Sequence, residues 1–412
     1  MNAQERYRVR RVVDDLYKSH YGKIVSTLFS SFQDLPLETI EDIVQDSFAA
    51  ALTNWTAETL PGNPAGWVFT VCRNKAINTI KAEKNRWLRL EQQIGQTEEG
   101  ALTPAVADLP VKLLFACAHP DLSPKIQVVI TLKYVANLKV EAIAAALGMT
   151  ADAVEKLLFR VRKKIREEGI LLTDPGQLPT ASRLPTVHKI IYLIFNEGYK
   201  PSSGDKAVNE DLCEEALLLT KELLDHRLGD TDTAALYALM LFNAARFRSR
   251  TGASGELLDL DQQDRSLWDG PMIALACDYF QQSRGGQMSS YHYEAAIAWL
   301  HCTAGNFAET NWGMISRLYL KLLRLNPNPF VELNYAIALY FAGTKTKAFE
   351  LLHGLLQQPF LHQYFLLNAA LGKLYLLEGD QARAREFLTR ALGQTEQPRE
   401  IAYIKRLIGT VS

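Results

Sequence analysis

Apolar residues recur at intervals of three and four along nearly the whole chain of 412 residues, and runs that alternate with a period of two are almost absent. The first spacing places apolar side chains on one face of an α-helix, whereas a half-buried β-strand requires the second. The sequence therefore predicts an all-α protein. Because the chain exceeds the usual size of one domain, we expect about three domains.

Two stretches interrupt the helical pattern, and we interpret both as linkers. They cover residues 91–110 and 170–186 and are rich in glycine, proline, threonine and other polar residues, which favour turns and loops. The chain then divides into a front domain (residues 1–90), a small middle domain (residues 111–169) and a long helical remainder (residues 187–412).

The distribution of charge matters more than the formal net charge of −1. Nucleic-acid binding needs Lys and Arg side chains for the phosphates, and an acidic remainder masks the basic residues of the first 170 positions. These basic residues form two clusters along the sequence. The first cluster consists of Arg73, Lys75, Lys81, Lys84, Arg86 and Arg89. The second consists of Lys156, Arg160, Arg162, Lys163, Lys164 and Arg166.

The composition disfavours several other classes of protein. Five widely spaced cysteines without a CxxC pair argue against a disulfide framework or a zinc site, and His119 has no further ligands at usable spacing. No signal peptide and no apolar run of about 18 residues is present. We find no phosphate-binding loop, catalytic carboxylate pair or nucleophile elbow. A protein of the reducing cytoplasm is expected, with no membrane contact, enzyme activity, metal or cofactor.

The middle domain contains a helix-turn-helix pattern, VEAIAAALGMTADAVEKLLFRVRKKIRE, which begins at residue 140. A first helix over 140–147 is expected to turn at Gly148, which can adopt a positive φ. Thr150 is expected to cap a second helix by accepting from its free amides. Ala144 is small where the two helices cross. The inward-facing residues are predicted to be Ile143, Leu147, Val154 and Leu157.

The second helix of this pattern begins nearly neutral and ends strongly basic. Such a helix can present its start to base edges in the major groove while its cationic end holds the backbone. A solvated basic helix beside an ordinary helical hairpin is the alternative. Helical spacing leaves these residues for the groove or its phosphate rim: Thr150, Ala151, Asp152, Glu155, Lys156, Phe159, Arg160 and Lys163.

The front domain contains two informative blocks. The first, LETIEDIVQDSFAAALTNW at 37–55, predicts an amphipathic helix. Its predicted apolar side consists of Ile40, Ile43, Val44, Phe48 and Leu52. Its predicted acidic side consists of Glu41, Asp42, Gln45 and Asp46. By itself, such an acidic side is typical of a solvated helix face.

The second block, NPAGWVFTVCRNKAINTIKAEKNRW at 63–87, interleaves aromatic and basic residues. This mixture suits single-stranded DNA, whose bases stack on aromatic rings while its phosphates pair with cations. Trp67 and Phe69 fit equally well in a hydrophobic core.

The C-terminal part contains an internal repeat. Aligning AIALYFAGTKTKAFELLHGL with LGKLYLLEGDQARAREFLTRAL pairs Ala336 with Gly372 and Gly343 with Gly379, and each partner lies 36 residues after the first. Tetratricopeptide repeats have a similar period and place small residues where paired helices cross. A third, looser copy is suggested by Ala298, Gly305 and Pro329. Generic helical hairpins are the alternative interpretation.

Two further motifs in this part have no clear role. In IYLIFNEGY at 191–199, the side chains of Asn196, Glu197 and Tyr199 suit a ligand or the middle domain, or the motif is a helix end stopped by Gly198. In QDRSLWD at 263–269, an interdomain contact through Arg265, Trp268 and Asp269 competes with a loop anchored by one buried Trp.

The order of these blocks resembles one known family. EDIVQDSF, then PAGWVFTVCRNKAIN, then a linker and the helix-turn-helix resemble region 2 followed by region 4 of extracytoplasmic-function RNA polymerase sigma factors, with no region 3 between them. The later motifs IYLIFNEGY, SSGD and QDRSLWD, together with the helical repeats, resemble a subgroup with C-terminal tetratricopeptide-like domains.

The resemblance implies a role for several residues. The helix from Asp42 would dock on a coiled coil of the largest polymerase subunit through Asp42, Gln45, Asp46 and Phe48. The loop at 56–64 would receive a flipped base of the promoter's minus-ten element. The residues that would flank the melted strand are Trp67, Arg73, Asn74, Asn78 and Lys81.

The resemblance also implies that the middle domain reads the minus-thirty-five element and that the C-terminal domain regulates the sigma factor. Tetratricopeptide-type stacks usually offer a concave surface to a peptide or another protein, so a regulatory protein or peptide is the expected partner of this domain. The residues expected at the minus-thirty-five element are Thr150, Asp152, Glu155, Lys156, Arg160 and Lys163. Two alternatives remain at this point: a helix-turn-helix repressor or activator with a peptide-sensing repeat domain, and an enzyme or scaffold built on helical repeats.

Overall fold

The structure is a computed structural model of the chain. It describes residues 3–411 except for 33–34, 36, 57–58, 89–108, 137, 148, 168–179, 202–207, 253–257, 359–360 and 362–363. The described residues contain α-helices, short 3₁₀ turns and no β-strand, so the predicted all-α class is confirmed. The chain forms two compact units, Met1–Leu193 and Ile194–Ser412.

Among the described residues, the N-terminal unit contains seven helices and the start of an eighth, which continues into the C-terminal unit. In chain order they are α1 (Ala3–Ser31), α2 (Leu37–Asn54), α3 (Pro64–Leu88), α4 (Leu109–Cys117), α5 (Pro124–Tyr134), α6 (Val140–Ala146), α7 (Ala151–Glu167) and α8 (Thr180–Tyr199).

The end of each predicted linker is helical, which corrects the expectation from sequence. Residues 180–186 form the first turns of α8, although Pro185 lies inside this helix. Leu184, Val187 and Ile191 are buried on one side, and their burial outweighs the one backbone hydrogen bond that proline removes. Pro110 lies in the first turn of α4, where its missing N–H has no intrahelical partner to lose. The rest of both linkers lies outside the described residues.

Helix α1 brings the predicted front and middle domains into one unit, because it packs against α2 and α3 and also against α4 and α5. Its buried face includes Tyr21, Val25 and Leu28. Gly22 lies at the closest approach, where a Cβ atom would stand 2.9 Å from the backbone oxygen of Val135, just after α5. A side chain at position 22 would therefore push the two segments apart.

The C-terminal unit continues with ten more helices in the described residues. They are α9 (Glu210–Asp225), α10 (Thr231–Ala244), α11 (Gly270–Gln282), α12 (Ser290–Thr303), α13 (Trp312–Leu325), α14 (Pro329–Phe341), α15 (Lys345–Leu355), α16 (Phe365–Leu377), α17 (Gln381–Leu392) and α18 (Pro398–Gly409). None of the described helices in either unit is long and apolar enough to cross a membrane.

The 36-residue spacing in the sequence corresponds to two similar helix pairs, α14 with α15 and α16 with α17. Gly343 and Gly379 end the first helix of each pair with positive φ angles of 90° and 78°, a conformation that suits glycine. Gly372 lets α17 approach α16, since a Cβ there would lie 2.6 Å from Leu388 Cγ. The looser copy, α12 with α13, has a longer connection at 304–311.

Gly198 does not have the predicted role of a helix stop. Helix α8 continues to Tyr199, and Gly198 is absent from the positive-φ glycines. Instead it permits a close approach to the start of α9, because a Cβ would lie 2.7 Å from Cys213 Sγ and 2.9 Å from the backbone oxygen of Asn209.

The contact at Gly22 generates the first prediction. Gly22→Ala should weaken the packing of α1 on the end of α5, at a cost of about 1–3 kcal/mol typical of overpacking. Hydrogen exchange in α1 and α5 would report this as faster exchange. Gly62→Ala is the matched control in the same unit, since a Cβ atom at position 62 would have no atom within 4 Å apart from those of its own and the two adjacent residues. Equal protection in the Gly22 variant and the native protein would contradict the prediction.

Candidate nucleic-acid interface

Helix α3 presents a polar face. Pro64 begins the helix, and Asn63 caps it by accepting from the Gly66 amide at 3.0 Å. The side chains of Arg73, Asn74 and Asn78 are exposed along the same helix. A cation beside two amides provides one phosphate partner and groups that can donate to or accept from bases. Lys81 belongs to α3, but its side chain lies outside the described part of the structure.

The two aromatic residues near the start of α3 are neither fully buried nor fully exposed. Trp67 is half-buried and packs edge-on against Trp55, with 5.2 Å between the ring centroids. Trp55 is only 2% exposed, and its indole Nε1 has no hydrogen-bond partner. Phe69 is also half-buried. Trp67 therefore contributes to the core and still offers part of its ring to the surface.

The loop between α2 and α3 is held by its threonines. The amide of Thr56 donates to Thr59 Oγ1 at 2.8 Å, and the amide of Thr59 donates to Thr56 Oγ1 at 3.2 Å. This loop is the segment at which a flipped base was expected. Its residues 57–58 lie outside the described residues.

Helix α2 exposes most of its predicted acidic side. Asp42, Gln45 and Asp46 are exposed, and Asp46 lies 3.6 Å from the ammonium of Lys75 on α3. The expectation that Phe48 contacts a partner needs correction, because Phe48 is 4% exposed. Its ring lies in the core 5.0 Å from that of Tyr17 on α1.

Two other positions on α2 differ from the sequence prediction. Leu52, assigned to the apolar side, is 45% exposed. Glu41, assigned to the acidic side, is buried, and its Oε1 lies 3.5 Å from the Nζ of Lys133 on α5. Tyr21 donates to the same oxygen at 3.3 Å. Burial and the neighbouring Glu41 charge raise the pKa of Tyr21, so this phenol stays neutral and remains a donor.

The Glu41–Lys133 pair is thus a second contact between the front and middle segments that sequence reasoning missed. Val44, Phe48 and Ala51 are buried three, seven and ten positions after Glu41. This helical spacing places Glu41 on the buried face, so the sequence pattern alone could have predicted that Glu41 is buried. No comparable signal identified Lys133, because the contact joins residues far apart in the chain.

The helix-turn-helix is present as α6 and α7. Thr150 caps α7 as predicted, accepting from the Ala153 amide at 3.2 Å. Ile143, Ala144 and Val154 are buried, as expected. Gly148, the predicted turn residue, lies outside the described residues.

The inward face of α7 is rotated slightly from the prediction. Leu147 and Leu157 are only half-buried, whereas Leu158 and Val161 are buried. Val154, Leu158 and Val161 form a stripe at intervals of four and three, which is the spacing of one helix face. Leu157 therefore lies at the edge of this stripe.

The opposite face of α7 is polar and accessible. Lys156 donates to Asp152 at 2.7 Å, but both side chains are largely exposed, so this ion pair is weak. Phe159 is 66% exposed. The exposed residues of this face include all five charged residues predicted for DNA: Asp152, Glu155, Lys156, Arg160 and Lys163.

The first motif of the C-terminal part makes mostly internal contacts. Asn196 is exposed, whereas Glu197 and Tyr199 are partly buried. The guanidinium of Arg250 lies 3.6 Å from the centroid of the Tyr199 ring and also donates to the Tyr199 backbone oxygen. The motif therefore joins the end of α8 to the segment after α10. The SSGD motif at 202–205 lies outside the described residues.

The second motif surrounds a buried Trp. Trp268 is 8% exposed, and its Nε1 donates to Ser249 Oγ at 2.7 Å. The guanidinium carbon of Arg265 lies 4.5 Å from the centroid of this ring. Arg265 also donates to the backbone oxygen of His301, near the end of α12, at 2.8 Å. Asp269 caps α11 by accepting from the Met272 amide. These bonds hold the segment between α10 and α12 in place.

The buried ion pair generates the second prediction. Glu41→Gln and Lys133→Met should each lower the local stability of the N-terminal unit by about 3 kcal/mol, since each removes one partner of a largely buried ion pair. The double variant should lose less stability than the two single variants lose together. Hydrogen exchange in α2 and α5 as a function of denaturant measures both quantities.

The exposed Asp46–Lys75 pair serves as the control for this cycle. Asp46→Asn and Lys75→Met should each cost below about 1 kcal/mol, because water screens the pair. Strictly additive effects of the Glu41 and Lys133 changes would contradict a direct interaction between them.

Three sequence families match the chain. Residues 16–86 match Sigma-70 region 2, residues 112–165 match Sigma-70 region 4, and residues 183–284 match a family of unknown function (DUF6596). The first match falls within α1 to α3, and the second falls within α4 to α7.

Two relatives extend this comparison. An uncharacterised protein of Rhizobium meliloti (strain 1021) is 32% identical over 378 residues, which are 90% of this chain and 89% of that protein. The RNA polymerase sigma factor YlaC of Bacillus subtilis (strain 168) is 27% identical over 170 residues, which are 38% of this chain and 92% of that protein. Together with the order of its two matched regions, these findings show that the chain belongs to the sigma-70 family of RNA polymerase sigma factors.

Proposed function

We propose that this sigma factor docks on core RNA polymerase through α2, holds the melted minus-ten strand on α3 and reads the minus-thirty-five element with α7. The observation that carries the proposal is that all three helices expose polar faces of suitable chemistry while their apolar faces are buried. We also propose that this sigma factor belongs to the extracytoplasmic-function group, since only residues 87–111 separate the two matched regions. The protein would act in the cytoplasm.

Polymerase docking is assigned to Asp42, Gln45 and Asp46. Their side chains are exposed along α2, and the carboxylates suit a basic partner surface. Phe48 lies on the buried face of α2, where its ring contacts that of Tyr17 on α1. Its proposed role is to orient α2 rather than to contact polymerase.

Charge reversal tests this docking. Asp46→Lys should weaken binding to purified core polymerase by at least about tenfold, because it places a cation opposite a basic surface. Asp46 makes only a weak, exposed ion pair in the free protein, so the fold should survive. Glu350→Lys on α15 is the matched control, as Glu350 is also exposed and pairs weakly with a Lys. Equal affinities of the two variants, measured by fluorescence titration, would exclude docking at Asp46.

Recognition of the minus-ten element is assigned to Trp67, Arg73, Asn74, Asn78 and Lys81 on α3, with the flipped base in the loop before it. Base flipping costs a few kcal/mol of lost stacking. Stacking on an aromatic ring and pairing of phosphates with cations can offset that cost. Partial exposure of Trp67 and exposure of Arg73 support this assignment.

Recognition of the minus-thirty-five element is assigned to α7. Thr150 fixes the helix start, Asp152 and Glu155 lie in its first turns, and Lys156, Arg160 and Lys163 follow toward its basic end. Acidic residues can accept from cytosine in the major groove, whereas the cations suit guanine or phosphate. The exposed ring of Phe159 lies beside these groups and suits a thymine methyl.

The contribution of Arg160 can be measured directly. Arg160→Ala should weaken binding of the polymerase complex to promoter DNA by about 1–3 kcal/mol if the side chain contacts a base. If it contacts phosphate, the salt dependence of binding should fall by about one counter-ion. Arg390→Ala on α17 removes a similarly exposed Arg and should change neither quantity. Unchanged affinity and salt dependence for the Arg160 variant would remove α7 from the DNA surface.

Regions 2 and 4 are packed together in this structure through Gly22 and the Glu41–Lys133 pair. The two promoter elements, by contrast, are separated by about 25 base pairs, or about 85 Å at 3.4 Å per base pair. We infer that the regions separate when polymerase and promoter bind. The C-terminal helices, including the tetratricopeptide-like pairs α14–α17, are proposed to regulate this process through a protein or peptide partner.

A further inference from the structure

The C-terminal unit contains a cleft of about 330 Å³. Its walls come from α12, α13, α14, α16 and α18, and the segment at 259–261 crosses one side. The volume is at the lower end of the range typical of small-molecule sites. No sequence motif pointed to this cleft, because its lining residues are scattered over about 140 positions of the chain.

One wall of the cleft is aromatic. Phe307, Trp312 and Phe341 form a mutual cluster, with ring centroids 4.8–5.0 Å apart. Tyr319 adds a fourth aromatic side chain to the lining. Such a wall provides apolar contact area and ring faces that attract cations.

The charged part of the lining has an excess of carboxylate. Lys373 Nζ lies 2.9 Å from both Asp259 Oδ2 and Asp261 Oδ1, so one ammonium faces two carboxylates. Tyr403 donates to Asp259 at 3.0 Å and adds no charge, because burial and the nearby Asp259 raise the pKa of this phenol. Among the described lining residues, Lys373 and the two aspartates are the only Lys, Arg, Asp or Glu side chains.

A polar group without a partner also lines the cleft. His301 Nδ1 is buried and makes no hydrogen bond. Burial, reinforced by Arg246 and Arg265, lowers the pKa of His301 to about 3, so the ring is neutral. It adds no positive charge to the lining.

We propose that this cleft binds a small organic amine in its cationic form, with the apolar body against the aromatic wall and the ammonium group at Asp259 and Asp261. The ammonium would share the two carboxylates with Lys373. An anion of the same shape is disfavoured, since it would meet these carboxylates in a partly water-excluded site. This binding claim is independent of transcription, so its test cannot fail merely because the proposed promoter function fails.

Three probes of similar shape and different charge test the proposal on the full chain. They are 2-phenylethylamine, uncharged 2-phenylethanol and anionic 3-phenylpropanoate. Calorimetric titration should show that the amine binds about tenfold more tightly than the alcohol, and that the propanoate binds most weakly. Failure of every probe to bind at millimolar concentration, or any other order of affinities, would overturn the proposal.

Two variants connect the binding to this cleft. Asp261→Asn should weaken binding of the amine by about fivefold to tenfold and leave binding of the alcohol unchanged, because only the cation loses a charge partner. Ala370→Phe should abolish binding of both by filling the space beside α16. Circular dichroism confirms that each variant is folded before titration. Amine binding that is unchanged in the Ala370 variant would place the ligand elsewhere and overturn the assignment.

Discussion

The contacts that α5 makes with α1 and α2 hold the two sigma regions together in this structure. Gly22 permits backbone contact with the end of α5, and Glu41 meets Lys133 nearby with little exposure to water. Removing both charges from water offsets most of their attraction, so such a pair adds little net stability. We expect its main consequence to be selectivity, because another packing of these helices would break this largely buried ion pair.

This arrangement separates buried residues from the residues proposed to be functional on the same helices. On α2, Phe48 and Glu41 lie inward while Asp42 and Asp46 remain accessible. On α7, the stripe that begins at Val154 is buried and the charged residues lie on the other face. The family comparison and these exposed faces support the proposal that the protein works by binding, with promoter recognition divided between two regions.

Local sequence patterns predicted the features that depend on neighbouring residues. The all-α class, the Thr150 cap and the 36-residue spacing follow from periodicity and short-range hydrogen bonding. The errors at Glu41, Leu157 and residues 180–186 have a different origin. Which face of a helix is buried, and whether a proline-containing segment stays helical, depends on contacts with distant segments. The cleft in the C-terminal unit depends entirely on such contacts and has no local pattern.

The central claim is that this chain gives core polymerase the ability to start at particular promoters. The most direct measurement is run-off transcription with purified core polymerase on a library of promoter fragments, with and without the full chain. Defined transcripts that require the chain are the expected result. Tight binding of the isolated chain to duplex DNA, with no chain-dependent transcript from any fragment, would contradict the claim and indicate a repressor or activator instead.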